Sequence, residues 1–170
     1  AAATNRQALG IDLNSEMVEG ANQNLNWLLE QQNITDSSAQ IVRGDATNIE
    51  ASIDKSWIGN VQGFVFDPPY GRNSQGSLNH DDLLTKTLTS AHKVASSDAN
   101  LVLIVPINSM PAQINSPLAD NSQVELLHGD WDSLQQLMKS SGWIIKNRWV
   151  EHVHGSLSRL VIHSEYVPLD

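Results

Sequence analysis

The apolar run Val61–Phe66 stops at Asp67-Pro68-Pro69-Tyr70, and this junction constrains the fold more than any other stretch of the chain. Two consecutive prolines hold φ in a narrow range and lack amide hydrogens, so they end a strand and cannot extend it. A short continuous apolar run bounded in this way predicts a buried strand of an α/β sheet. Its carboxyl end carries a carboxylate, two imino residues and an aromatic ring. Ligands of open α/β sheets bind outside the carboxyl ends of the strands, so the junction marks the floor of a candidate pocket.

Two earlier segments repeat the theme. Residues 8–13 read as a short strand that delivers Asp12 to its carboxyl end, and residues 40–46 as a second that ends in Gly44-Asp45. Between them Asn14 is placed to cap a helix, and Met17, Val18, Ala21, Leu25, Leu28 and Leu29 recur at spacings of three and four as far as Glu30. Trp27 and the leucines are expected to pack in the core. A weak helix is expected over 47–53.

After the proline junction the polar segment 71–79 reads as a loop that could close over a bound base. A helix beginning near Asp81 follows, with Leu83, Leu84, Leu88, Ala91, Val94 and Ala95 inward, and then a strand over 101–107 covered on both faces. Pro106 and Asn108 suggest a bend at its end. Residues 111–122 read as a loop and 124–127 as a short apolar run. A helix over 132–140 is expected to be capped by Asp132, with Leu134, Leu137 and Met138 inward. Strands over 143–152 and 160–167 would close the sheet as an antiparallel pair around a turn at 155–158.

The candidate chemistry follows from residue type. Asp67 and the carbonyl of Pro68 can both accept hydrogen bonds from an exocyclic amine, which turns its lone pair toward an electrophile, while Tyr70 stacks on the ring that carries the amine. Asp12 can take two ribose hydroxyls in short charge-assisted bonds. Asp45 is a second acceptor at a neighbouring strand end. Each has a plainer alternative. Pro68-Pro69 can be a strand terminator alone, Asp12 can simply lead into the helix, and Gly44-Asp45 can start a turn or cap the segment 47–53.

Asp67-Pro68-Pro69-Tyr70 after a strand resembles the catalytic motif of S-adenosylmethionine-dependent methyltransferases that modify exocyclic amino groups of adenine, guanine or glutamine. Gly10-Ile11-Asp12-Leu13-Asn14-Ser15-Glu16-Met17 and His152-Val153-His154-Gly155-Ser156-Leu157-Ser158-Arg159 resemble the archaeal and eukaryotic tRNA guanine-N2 methyltransferases that act on the D-arm region. The resemblance spans nearly the whole chain and is strongest in four short stretches. It implies a class I Rossmann-like methyltransferase fold, mostly parallel with a terminal antiparallel hairpin. It also implies S-adenosylmethionine as cofactor, with Asp12, Asp45 and Asp67 on its side of the site and Asp67, Pro68, Pro69 and Tyr70 at the transferred methyl.

In that family a first central strand and a glycine-rich turn come before the segment matching Ala1 to Ala8. The chain is therefore expected to be an amino-terminally truncated catalytic domain, with residues 1–5 as the tail of the preceding helix. In the terminal turn His154, Ser156, Leu157, Ser158 and Arg159 match the family, while Gly155 stands where a basic residue is usual. Arg159 is a candidate contact to RNA phosphate, although this turn could equally be anchored internally. Arg72, the one basic side chain of the loop 71–79, is a candidate contact to a phosphate or to the cofactor carboxylate.

Composition limits the partners. The 170 residues suffice for one domain with one core. No cysteine is present, so nothing points to disulfides, and no apolar run approaches membrane-spanning length, which makes a cytoplasmic setting the expectation. The six histidines form no motif that would hold a metal. Ten basic against 19 acidic residues give a formal charge of −9, which is poorly suited to nonspecific capture of a phosphate backbone. The resemblance accordingly implies tRNA binding through a separate amino-terminal module containing a THUMP domain. Two alternatives to a guanine-N2 methyltransferase stand beside it: an adenine-N6 methyltransferase of DNA or RNA, and an inactive methyltransferase-like fragment.

Overall fold

A computed structural model describes residues 6–34, 39–68 and 80–169. Among the described residues six strands and three α-helices follow in the order β1 (Ala8–Asp12), α1 (Ser15–Gln31), β2 (Ala39–Arg43), β3 (Val61–Phe66), α2 (His80–Val94), β4 (Ala95–Asn108), α3 (Trp131–Ser140), β5 (Trp143–His154) and β6 (Leu157–Tyr166). The segment expected as a weak helix after β2 is 3₁₀, over Ala46–Ser52.

β1 and β2 run parallel, with Asp12 opposite Arg43. A second sheet has the order β3-β4-β6-β5, in which β3 and β4 are parallel and β6 is antiparallel to both of its neighbours. Among the described residues β1 pairs only with β2, and β3 only with β4, so two sheets stand where one was expected. Residues 1–5, expected as a helix tail, lie outside the described residues.

The core lies on one face of the larger sheet. Side chains alternate across a strand, and Leu101, Leu103, Val105 and Ile107 of β4 with Leu160 and Ile162 of β6 are buried in one cluster with Leu84, Leu88 and Val94 of α2 and Leu134 and Met138 of α3. The opposite positions Val102, Ile104 and Pro106 are only half-buried, and Val65 of β3 is 73% exposed. The expectation of a strand covered on both faces is thus corrected, because α2 and α3 both feed the same face. Trp143 anchors this core: fully buried, it donates from Nε1 to the Leu88 carbonyl at 3.1 Å and meets Phe64 edge-on.

Local chemistry explains most boundaries. Asn14 caps α1 by accepting from the Glu16 amide at 2.8 Å. No α1 side chain is fully buried, and Trp27, expected in the core, is 62% exposed. At 100° per residue Trp27 falls about 150° round the helix from the middle of the apolar stripe. Helix α3 begins one residue earlier than expected, with Asp130 and not Asp132 as its cap. The Asp130 carboxylate accepts from the Ser133 amide at 2.9 Å and from its hydroxyl at 2.7 Å, after Gly129 has turned the chain at φ +74. These bonds, the amide first, hold the Asp130 carboxyl below the usual carboxylate value.

Strand β4 starts at Ala95, within the expected helix tail, and its register with β3 shifts between Val61 and Gly63. Pro106 lies three residues beyond Leu103, where pairing with β3 ends, so a missing donor on that side leaves no gap in the ladder. The hairpin turn is tighter than expected, and Ser158 belongs to β6. The long connection from β4 to α3 is held by Arg148, a residue that sequence reasoning passed over. Only 5% exposed, its guanidinium donates to the carbonyls of Ala119 at 2.9 Å, Asp120 at 3.1 Å and Ser122 at 3.4 Å, and lies 4.6 Å from the centre of the Trp131 ring. Burial lowers its pKa from the ordinary guanidinium value, an effect opposed by the Asp120 charge.

Candidate active site

Asp12 and Asp45 come together at the ends of β1 and β2. The Gly44 amide donates to the Asp12 carbonyl at 3.0 Å, which carries the strand pairing one step past the last paired residues. Arg43 reinforces it by donating from Nε to the Leu13 carbonyl at 3.2 Å. Glycine is required at position 44 for space. A β-carbon there would stand 2.6 Å from Ser52 Cβ and 2.9 Å from Ile11 Cγ2.

Each carboxylate is half-used by its own turn. Asp12 accepts from the Asn14 amide at 2.7 Å through Oδ1. Asp45 accepts from the Thr47 amide and hydroxyl, both at 2.8 Å, through its Oδ1. The plain reading of Asp45 as a cap therefore holds, and it leaves Oδ2 without a partner among the described residues. Asp12 likewise keeps Oδ2. Two unengaged carboxylate oxygens on adjoining strand ends fit the nucleoside half of S-adenosylmethionine, which offers ribose hydroxyls and an adenine amino group as donors.

Asp67 and Pro68 follow β3. The side chain of Asp67 is 46% exposed, and its Oδ2 lies 3.5 Å from Nη2 of Arg159. Among the described residues no hydrogen bond engages the Pro68 carbonyl. Pro69, Tyr70 and Arg72, the other residues assigned to this part of the site, lie outside the described residues. No hydrogen bond or ion pair among the described residues links the Asp67–Arg159 pair to the Asp12–Asp45 pair.

The terminal turn is anchored internally through Ser158. Its buried hydroxyl accepts from the Met110 amide at 3.0 Å and donates to the Met110 carbonyl at 2.9 Å, which pins the start of the connection after β4. Arg159, next in the chain, points to a carboxylate. A cavity of about 170 Å³ opens between α2, the end of β4 and α3, lined by Asp81, Leu84, Pro106, His128 and Leu134 among others, and it includes none of the three acidic site residues. No helix among the described residues is long and apolar enough to cross a membrane.

Comparison with known proteins gives the family. A model of the RMKL-like methyltransferase domain matches residues 1–136. A tRNA (guanine(10)-N2)-dimethyltransferase from Pyrococcus abyssi is 28% identical over 150 residues, covering 88% of this chain and 35% of its own length. The chain thus spans about a third of that relative. Among solved structures, a SAM-dependent methyltransferase from Methanosarcina mazei superposes with a TM-score of 0.63 at 14% identity, over 98% of this chain and 84% of its own. TrmN from Thermus thermophilus gives 0.57 at 14% identity, over 95% of this chain and 36% of its own. A Burkholderia thailandensis 1,6-didemethyltoxoflavin-N1-methyltransferase, solved with S-adenosylhomocysteine, gives 0.56 at 11% identity, over 97% and 73%. The fold is the Rossmann-like one expected, and S-adenosylmethionine, the cofactor expected from sequence, goes with the methyltransferase family matched. With a family model matching most of its length, and with an acidic residue at the last position of β1, two residues past the end of β2 and one residue past the end of β3, the chain belongs to the RMKL-like methyltransferase domain family.

Proposed function

We propose that this chain is the catalytic part of an enzyme that transfers a methyl group from S-adenosylmethionine to the exocyclic N2 amine of guanine in tRNA. The observation that carries this reading is the placement of Asp67 and Pro68. They supply a carboxylate and a carbonyl that makes no hydrogen bond among the described residues, side by side at the end of β3, in a chain whose family is a methyltransferase family. The similarity to an archaeal tRNA guanine-N2 enzyme supports guanine as the base.

S-adenosylmethionine supplies a methyl group already activated on a sulfonium. The chain's own residues then have two tasks. Asp12 and Asp45 hold the nucleoside through their unengaged oxygens. Asp67 and the Pro68 carbonyl accept the N–H bonds of the amine, which aims its lone pair along the line of transfer and stabilises the positive charge that develops on nitrogen. Tyr70 is the proposed stacking partner of the base and Arg72 a phosphate contact, both outside the described residues. With a charge of −9, this portion depends on a separate RNA-binding module to capture tRNA.

The test is replacement of Asp67 by Ala in the full natural chain, read by methyl transfer to unmodified tRNA and by nucleoside analysis of the product. Transfer should be abolished while S-adenosylmethionine affinity changes little, and the parent product should be N2-methylated guanosine. Near-normal turnover in the variant would sink the mechanism, and N6-methyladenosine as product would replace guanine by adenine as the target.

A further inference from the structure

We infer that Arg159 is a positioning residue for Asp67, holding one oxygen of the carboxylate so that the other faces the amine; this rests on the methyl-transfer reading above. The sheet register shows how unusual the contact is. Arg159 lies on β6 opposite Pro106 of β4, and β4 separates β6 from β3. To meet Asp67, just past the end of β3, its side chain crosses the whole of β4, so the two backbones stand about two strand spacings, roughly 10 Å, apart.

A nearer carboxylate is available and is not the one chosen. Glu151 is directly opposite Arg159 on β5, yet the ion pair runs the other way, from Nη2 to Asp67 Oδ2 at 3.5 Å. Pro106, the residue crossed, has no amide hydrogen to compete for the carboxylate. Arg159 itself is set by its neighbour: Ser158 is buried, and its hydroxyl bonds both the amide and the carbonyl of Met110, which anchors the backbone that launches the arginine.

The consequence is specific to the proposed chemistry. A strand-end aspartate that is 46% exposed can rotate freely about its side-chain bonds, whereas an amine must meet its acceptor in one direction for in-line transfer. A guanidinium beside Oδ2 restricts that rotation and, among the described residues, leaves Oδ1 without a partner. It also means that the cation earlier assigned to an RNA phosphate is already engaged, in a turn where Gly155 contributes no charge.

The experiment compares Arg159→Ala, Arg159→Gln and Arg159→Lys with the parent in the full natural chain. Single-turnover methyl transfer at saturating cofactor and tRNA is measured together with tRNA affinity across a salt series, after thermal unfolding has shown each variant folded. The positioning role predicts a fall of about tenfold or more in the transfer rate for Ala and Gln, partial recovery in Lys, and an unchanged slope of log affinity against log salt. Retained transfer rate with a salt slope reduced by about one would make Arg159 a phosphate contact and overturn the inference. An unchanged rate with unchanged affinity would overturn it too. If the parent itself transfers no methyl group to tRNA, it is the proposed function that fails, and the inference falls with it.

Discussion

Replacing Gly44 by Ala should loosen the paired ends of β1 and β2 by crowding the side chains of Ser52, its hydroxyl included, and Ile11. The added β-carbon would stand 2.6 Å from Ser52 Cβ and 2.9 Å from Ile11 Cγ2, against an optimal carbon–carbon separation of about 3.5–4.0 Å. One or both neighbours must retreat by roughly an ångström. Neither can do so alone, because Ile11 belongs to β1 and Ser52 closes the 3₁₀ segment that Asp45 caps. Overpacking of this kind costs about 1–3 kcal/mol, and the loss of glycine's freedom in the unfolded chain returns about 0.4–1 kcal/mol. A net loss of about 1–2 kcal/mol corresponds, for a chain of this size, to a Tm lower by about 2–8 °C. Ser52→Gly removes the closer clash, so the double variant should recover much of the loss, with a coupling energy of about 1 kcal/mol between the two sites. Urea unfolding followed by tryptophan fluorescence measures all four corners of the cycle. Calorimetric titration of the full natural chain with S-adenosylmethionine should show weaker binding for Gly44→Ala, restored in part by the second change. A Gly44→Ala variant as stable as the parent, or a Ser52→Gly change that adds its own cost without relief, would refute the packing argument.

Three further outcomes follow from the same physical reasoning. Arg148→Met should cost about 2–4 kcal/mol in urea unfolding, because it strips the donor from the carbonyls of Ala119, Asp120 and Ser122, and Arg148→Lys should recover only part of this since one ammonium cannot reproduce the planar fork. Trp143→Phe leaves the buried Leu88 carbonyl without its indole donor and opens space beside Phe64, so a loss of about 1–3 kcal/mol is expected by the same assay; a change below a few tenths would show that the bond contributes nothing. Asp54 and Asp130 are held below the ordinary 3.8, each first by a backbone amide and then by a hydroxyl, of Ser56 and Ser133 respectively. A depressed folded value means stability that is present above 3.8 and fades as the pH falls through the folded value, so the Asp54→Asn, Asp130→Asn double variant should lose stability less steeply below pH 4 than the parent. Parallel acid limbs would contradict this.

Asp12, Asp45 and Asp67 could be picked out without coordinates because their signal is local. An apolar run followed by an acidic residue is a strand that ends at a solvent edge, and periodicity and turn chemistry are read from neighbours in the chain. The same locality explains the small misses. Asp130 and Asp132 are both good caps by type, and only the turn at Gly129 decides between them. Trp27 looks like core because it is large, although its angular position on α1 faces it outward. Arg148 carried no usable signal, since a buried arginine satisfied by three carbonyls of a distant loop depends on contacts 26 to 29 residues away.

The order of strands and helices, the acidic strand ends and the two prolines after β3 thus follow from residue sequence, because each expresses a steric or periodic rule that operates within a few residues. Which face of the larger sheet is buried, and above all the contact between Asp67 and Arg159, belong to the tertiary structure. Residues 67 and 159 are brought together by strands that are neighbours only through β4, and no rule confined to adjacent residues could have paired the carboxylate just ahead of the two prolines with an arginine in the last hairpin.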